Sequence, residues 1–237
     1  MPISHFMSSA AAFAVALPFL AGCTAPAPQG NADLTKKVEE LTTRVQHLED
    51  IQAIEKLQAK YVQYLYTQHY DEIVDECFAQ HVQDVSVEFS DSGVYKGLDH
   101  IRALYHAFNK TKQIPGWFIM HMTVNPYIEI SKDGKTAHSH WLSPGITGSN
   151  TSAGWVFGPY YVDYVKEDGE WRMQHTNLAA LVRTSFETSW ANATDNGTVR
   201  GVLGVEPDAP STIYKPYVER KKETNIFKDF PDLPAPY

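Results

Sequence analysis

The sequence predicts an α+β fold, in which helices come first along the chain and a mostly antiparallel sheet follows. Apart from a short strand at 85–89, apolar residues recur with the helical period up to residue 110, and later segments alternate with period two. Two Asp-Gly turns, at 133–134 and 168–169, each separate two alternating segments, which is typical of β-hairpins. Helices followed by hairpins favour α+β over a parallel α/β sheet.

Three helices are predicted before the main sheet. The first is long and amphipathic, breaks near Asp50, and carries apolar residues at Leu34, Val38, Leu41, Val45, Leu48, Ile51, Ile54, Leu57, Tyr61 and Leu65. Its first part covers about two heptads, so we expect it to lie on its own domain or on a neighbouring subunit rather than to form a free-standing coiled coil. The second helix spans 70–79, and the third spans 99–110 with Asp99 as its N-cap.

The predicted strands follow from alternation between turns. Asn125-Pro126 interrupts the second of them, and the strands span 85–89, 117–131, 136–142, 155–166 and 171–188. After Trp190 the chain becomes rich in Asn, Gly and Pro. We expect this extension, 191–237, to be an irregular arm that packs along a surface through its Tyr and Phe side chains, with disorder as the alternative.

The first 32 residues contain no Asp, Glu, Lys or Arg, which separates them from the folded part. Residues 1–22 are predicted to be an export signal, because an apolar, alanine-rich stretch ends in Leu20-Ala-Gly-Cys23. That ending resembles a bacterial lipobox, which implies cleavage before Cys23, a lipid on its sulfur and a membrane anchor in the cell envelope or periplasm. An ordinary secretory signal and a secreted protein are the alternative. Residues 23–33 are expected to be a flexible tether.

Charge and cysteine content exclude other classes. The net charge is -8 and the isoelectric point is near 5.6, so no nucleic-acid partner is expected. The one basic run, 220–222, is flanked by glutamates. Two cysteines cannot form a disulfide framework, and Cys77 lies in an apolar-periodic segment, which favours a buried structural thiol.

Several motifs in a fixed order resemble the SnoaL-like branch of the NTF2-like superfamily, over about 34–190. They are Leu48-Glu-Asp-Ile-Gln-Ala-Ile54, Lys60-Tyr61, Phe78-Ala79, Met120-His-Met-Thr-Val-Asn-Pro126, Thr136-Ala137 to Trp141, and Tyr161-x-Asp163 before Gly169-x-Trp171. The resemblance implies a curved antiparallel sheet that wraps three helices around a deep pocket. Members include dehydratases, dehydrochlorinases, polyketide cyclases, formaldehyde-releasing lyases and binding proteins without catalysis, so the fold implies a pocket and not a reaction.

The resemblance also implies a site. Dehydratase members use a histidine on the central strand, matched by His121, and a tyrosine on the first long helix, matched by Tyr61. An imidazole can take and return a proton, and a phenol can bind the developing oxyanion or protonate the leaving group. Neither step needs a cofactor.

The sequence departs from the family pattern at two carboxylates. Tyr66 stands where members have an Asp five residues after the helix tyrosine, and His81 replaces the Asp of the Phe-Ala-x-Asp motif. The group that would orient His121 is therefore missing. We expect Tyr66 or Asp163 to take that role, and without either the domain would only bind a ligand.

Aromatic residues are expected to line the pocket and to suit a hydrophobic, aromatic ligand; they are Tyr64, Trp117, Trp141 and Tyr161. His138 and His140 form an H-x-H pair, a metal half-site, but paired histidines on a solvated strand are commoner, so no metal is predicted. Arg183 is expected at the pocket rim, with anion recognition as the alternative.

The sequence therefore predicts a cofactor-independent lyase that acts on a hydrophobic, aromatic alcohol by dehydration or by release of formaldehyde. The alternative is a non-catalytic envelope protein that binds a small molecule in the same pocket. We also expect a homo-oligomer, dimer or trimer, built in part by the long first helix.

Overall fold

The computed structural model describes residues 29–193, 203–213 and 215–236, and the side chains from residue 31 onward. The predicted export signal and Cys23 lie outside the described residues. The chain divides into two compact units, Met1–Thr42 and Thr43–Tyr237. The second unit contains all the described strands. Within the described ranges, no helix combines the length and the apolar character needed to cross a bilayer.

Helix α1 runs without interruption over Gln29–Tyr66, so the predicted break near Asp50 is wrong. Asp50 is buried, and its Oδ1 accepts hydrogen bonds from Lys166 Nζ at 2.6 Å and Trp171 Nε1 at 2.9 Å. These partners satisfy the carboxylate and let the helix continue past it. The helix also begins inside the stretch predicted to be a flexible tether, because 29–33 holds no proline and a helix can start there.

Two shorter helices follow α1. Helix α2, Glu72–Cys77, buries Cys77, and burial raises the pKa of this thiol to about 12, as expected for a structural cysteine. Helix α3, Leu98–Ala107, starts after Gly97, and Asp99 lies inside its first turn rather than at the N-cap. A 3-10 helix, Phe108–Gln113, continues from α3 and occupies the end of the predicted third helix.

Eight strands form one sheet in the described residues: β1 (Ser86–Phe89), β2 (Gly93–Lys96), β3 (Phe118–His121), β4 (Val124–Ile130), β5 (Thr136–Gly148), β6 (Ala153–Glu167), β7 (Glu170–Leu178) and β8 (Val182–Ser185). The order is β2-β1-β7-β6-β5-β3, with β4 also on β5 and β8 also on β6. All pairs are antiparallel except β1 with β7. The predicted α+β class is confirmed.

Three strand predictions need correction. The strand β2 was not predicted, because four residues are too few to show alternation. The predicted break at Asn125-Pro126 lies earlier, between β3 and β4; Asn125 instead forms a bulge with a φ of 51°. The last predicted strand divides into β7 and β8. The turn at Asp168-Gly169 has positive φ at both residues, as a two-residue hairpin requires.

The sheet has an inner face that packs on the helices and an outer face. Odd-numbered residues of β5 from 137 to 145 are buried, and they share the inner face with even-numbered residues of β6 from 156 to 164. The core on this face includes Ile54 and Tyr61 of α1 and Leu104 of α3. Side chains at 138 and 140 therefore belong to the outer face.

The described part of the C-terminal extension contacts the domain by hydrogen bonds to a buried carboxylate. Glu88, on β1, accepts bonds from Thr212 N at 2.7 Å and Ser211 Oγ at 2.6 Å. Helix α4, Tyr217–Arg220, ends in a buried arginine whose guanidinium lies 4.6 Å from the Phe230 ring centroid. The Phe230 contact joins two residues of the extension, so the expected packing through Tyr and Phe side chains stays a prediction, and the sequence missed the carboxylate.

Candidate functional site

His121 lies at the end of β3 and points to the inner face of the sheet. The cross-strand register places His121 opposite Gly145, Gly145 opposite Val156, and Val156 opposite Arg183. Directly opposite residues of antiparallel strands project to the same face, so His121 and Arg183 share the inner face at either end of one row. Gly145 is required beside the imidazole, because a Cβ there would lie 2.8 Å from His121 Nδ1.

Three tyrosines link His121 on β3 with helix α1 through ring and hydroxyl contacts. The Tyr160 ring lies edge-on to the His121 ring at 6.3 Å between centroids, and edge-on to the Tyr61 ring at 6.1 Å. The Tyr61 hydroxyl is hydrogen-bonded to the Tyr105 hydroxyl at 2.9 Å. All three tyrosines are fully buried. Tyr160 thus connects the strand histidine with the helix tyrosine.

The imidazole of His121 is neutral in this environment. Its exposed fraction is 6%, and burial, followed by the positive charge of Arg183, lowers its pKa to about 3. Nδ1 is enclosed and has no hydrogen-bond partner among the described residues. No carboxylate among the described residues contributes to this shift in pKa. A neutral imidazole has one nitrogen that donates a hydrogen bond and one that accepts.

The tyrosines are also uncharged. Burial is the main cause that raises the pKa of Tyr61, Tyr105 and Tyr160 well above the ordinary value of a phenol. Each hydroxyl therefore keeps its proton at neutral pH and can donate it in a hydrogen bond. The inner face offers a neutral proton acceptor beside neutral proton donors.

Arg183 and Asp91 form an ion pair at the Arg183 end of this row. Both side chains are mostly buried, and Arg183 Nε donates to Asp91 Oδ2. Arg183 Nη2 and Asp91 Oδ1 are buried atoms with no partner among the residues described. Ser143 Oγ, two residues before Gly145 on the same face, is a further buried atom of this kind. Buried polar atoms normally have partners, so this set is suited to a polar group of a ligand.

Two residues expected to orient His121 do not reach it. Tyr66 ends α1 with 47% of its surface exposed. Asp163 lies on the outer face, opposite His138, and its Oδ1 is 2.6 Å from His138 Nδ1. Alternation along β6 puts Asp163 on the side of the sheet away from His121. The expected orienting role of both residues is therefore wrong.

The four aromatic residues expected in the pocket lie in different parts of the structure. Trp141 is on the inner face, where its Nε1 donates to Ser139 Oγ at 2.7 Å. Trp117 precedes β3, has an enclosed Nε1 without a partner in the described chain, and accepts a bond from Gln68 at its carbonyl. Tyr64 is partly buried on α1, with its ring 5.8 Å from that of His69.

Tyr161 is the exception and lies on the outer face, edge-on to His140 with 4.5 Å between ring centroids. It lines a groove of about 570 Å³ together with His138, Asp163 and the C-terminal stretch 231–236. Its predicted place in the inner pocket is therefore wrong. In the described ranges, no cluster of three or more His, Cys, Asp or Glu side chains is arranged to hold a metal ion.

Sequence reasoning missed three groups of the inner face, Tyr105, Tyr160 and Ser143, and placed a fourth, Arg183, differently. The tyrosines looked like ordinary core residues, and Arg183 was expected at the rim. The one sequence signal for Arg183 is a single charge within an apolar strand end. Its place in a row with His121 depends on the pairing of four strands, which the sequence does not reveal.

Residues 46–177 match the model of a family described as SnoaL-like domain. A solved structure of a candidate scytalone dehydratase from Novosphingobium aromaticivorans aligns with a TM-score of 0.51 at 20% identity, covering 60% of this chain and 91% of that one. The hexachlorocyclohexane dehydrochlorinase LinA-type3 from Novosphingobium barchaimii aligns with a TM-score of 0.51 at 14% identity, covering 62% and 96%. No curated protein sequence matches significantly. The NTF2-like fold predicted from the sequence is confirmed.

Proposed function

Because the chain belongs to the SnoaL-like family, we propose that it is a cofactor-independent lyase. The reaction is elimination of water or formaldehyde from a hydrophobic, aromatic alcohol at the inner face of the sheet. The observation that carries this proposal is the buried set in which Tyr160 stands edge-on to both His121 and Tyr61. The dehydratase and dehydrochlorinase names of the similar structures support the reaction class by analogy of fold.

In the dehydration, His121 takes the proton that leaves the substrate carbon, and the C–O bond breaks as a tyrosine phenol gives its proton to the departing hydroxyl. Water leaves, and the proton on His121 returns to the phenolate of the tyrosine. Tyr61 is the predicted donor, and Tyr160 is the phenol nearer to His121. These proton transfers and the C–O cleavage require neither an oxidant nor a metal.

The low pKa of His121 sets a condition on the substrate. A neutral imidazole with a pKa of about 3 is a weak base, and the nearby Arg183 disfavours its protonated form. A substrate that carries negative charge, such as a phenolate or a developing enolate, would offset both effects and raise this pKa. Arg183 Nη2 would bind that oxygen. We therefore propose a phenolic or carbonyl-conjugated alcohol.

The test is a screen of aromatic alcohols by mass spectrometry for products that have lost water or formaldehyde. We expect His121→Ala to lower the rate by about 100-fold or more, which is the usual contribution of a general base. His138→Ala is the matched control on the outer face and should keep the rate within about twofold. Full activity of His121→Ala on the identified substrate would contradict the assignment.

A second function, binding without chemistry, is favoured by one observation, the absence of a carboxylate acting on His121. In that case the pocket holds an aromatic ligand through the same donors. Recovery of every ligand unaltered after prolonged incubation, with binding lost in Tyr160→Ala and Arg183→Ala, would favour this function over the lyase.

We also propose that the protein works in the cell envelope, anchored by a lipid on Cys23. The support is the charge-free segment that ends in Leu20-Ala-Gly-Cys23. Fractionation of a bacterial host should find the wild type with membranes and Cys23→Ser in the soluble envelope fraction. Wild-type protein released without a lipid on its N-terminal peptide would mean an ordinary secretory signal.

A further inference from the structure

The first half of helix α1 carries an apolar stripe of exposed side chains. The stripe consists of Leu34, Val38, Leu41, Val45 and Leu48, whose exposed fractions lie between 52% and 64%. A neighbouring subunit is one of the two covers expected for this part of the helix. Five large apolar residues in one line on a helix are a costly surface to leave in water.

The spacing of the stripe is that of a coiled coil. Steps of four and three residues alternate over two heptads, with Leu34, Leu41 and Leu48 at d positions and Val38 and Val45 at a positions. The repeat stops at Leu48, because the next a and d positions are Gln52 and Glu55.

Beyond Leu48 the helix uses a different side for the core. At 3.6 residues per turn, Val45 and Leu48 point to roughly the opposite side of the helix from Ile54 and Tyr61, which are buried in the core. One helix therefore has two apolar faces in succession; the residues of the first are exposed and those of the second are buried.

We propose that the stripe binds the same stripe of a second copy of this chain, as a parallel two-stranded coiled coil. Valine at a with leucine at d is the combination that favours two strands over three or four. Each d leucine then packs against its counterpart, and the five residues give five layers of contact between the helices.

Charged residues beside the stripe favour the parallel orientation. In the same heptad frame Arg44 is at g and Glu49 is at the following e position, and both are exposed. In a parallel pair, g of one chain faces the next e of the other, so Arg44 lies beside Glu49 of the second copy, twice per dimer. An antiparallel pair brings g positions together, so that the basic Lys37 and Arg44 repel.

The length of the stripe predicts how strong the contact is. Two heptads are short for independent helices, so we expect the dimer to dissociate on dilution. A parallel pair also places both N-termini at the same end. Two copies anchored in one membrane through that end would have a raised effective concentration, which strengthens a weak contact.

Sedimentation of the purified full-length protein in a non-ionic detergent, over a dilution series, tests the pairing. We expect the wild type to move from dimer to monomer with dilution and Leu41→Asp to stay monomeric throughout. Lys36→Asp adds the same side chain on the exposed f position and should behave like the wild type. Circular dichroism checks that both variants fold. A monomeric or trimeric wild type, or a dimeric Leu41→Asp, would overturn the proposal.

Charge exchange tests the orientation. Arg44→Glu and Glu49→Arg each replace two attractive contacts by two repulsive ones, and each should raise the dimer dissociation constant by about tenfold at low salt. The double variant restores opposite charges and should return to within about threefold of the wild type. A double variant as weak as the single ones would rule out the parallel register. None of these outcomes depends on catalytic activity.

Discussion

Two histidines on neighbouring strands, His121 on β3 and His138 on β5, have opposite environments. His121 is enclosed on the inner face, where no described carboxylate contributes to its pKa shift, whereas His138 lies on the outer face with Nδ1 2.6 Å from Asp163 Oδ1. The difference shows that the imidazole with a carboxylate partner lies on the opposite side of the sheet from His121.

The largest expected loss of stability comes from filling the space beside the His121 ring. Gly145→Ala puts a Cβ 2.8 Å from His121 Nδ1 and 3.2 Å from the Val156 carbonyl oxygen, so the ring or the strand must move. We expect a loss of about 2–3 kcal/mol in the free energy of unfolding, typical of an overpacked core. Denaturant titration measures it.

The matched control for Gly145→Ala is Leu142→Ala, on the same strand with an exposed side chain. Its free energy of unfolding should change by no more than about 0.5 kcal/mol. Equal losses of stability in the two variants would mean that a Cβ at position 145 is tolerated beside the His121 ring.

A slightly smaller loss of stability is expected when the pH is lowered. The folded pKa of His121, about 3, lies below the unfolded value of 6.5, so the unfolded chain binds the proton first as the pH falls. The stabilising contribution is complete above the unfolded pKa and is lost as the pH drops from 6.5 toward 3. Between pH 6.5 and 5 the loss is about 2 kcal/mol.

The variant His121→Gln removes this proton-binding difference. Unfolding free energies measured at pH 7 and pH 5 should therefore fall less in the variant than in the wild type. The comparison uses the difference between the two pH values, so an overall destabilisation of the variant does not affect it. Equal pH dependence in both proteins would contradict an enclosed neutral imidazole.

The smallest effect is expected on the outer face. Asp163→Asn removes the charged partner of His138, and because both side chains are half exposed, the loss should be about 0.5 kcal/mol or less. Activity should stay within about twofold, because Asp163 does not reach the inner face. A large loss of activity in Asp163→Asn would mean that the outer groove contains the working site.

The sequence was sufficient for the α+β class and the family, because periodicity and motif order are local properties. The resemblance also singled out His121 and Tyr61, and both are buried in the structure. The sequence could not tell on which face of the sheet Asp163 and Tyr161 lie. Successive residues of a strand project to opposite faces, so the face of each residue is known only when the pairing register is known. The same limit explains why Arg183 was expected at the rim, since its row with His121 depends on the register of four strands.

The most direct test of the contrast is a pH titration of the imidazole nitrogens by NMR in protein labelled with ¹⁵N-histidine, assigned with His121→Gln. We predict that the His121 nitrogens keep the shifts of a neutral ring from pH 8 to pH 5, because its pKa is about 3. A His121 signal that titrates near pH 6.5 would contradict this account, since it would mean a hydrated ring or a carboxylate beside it.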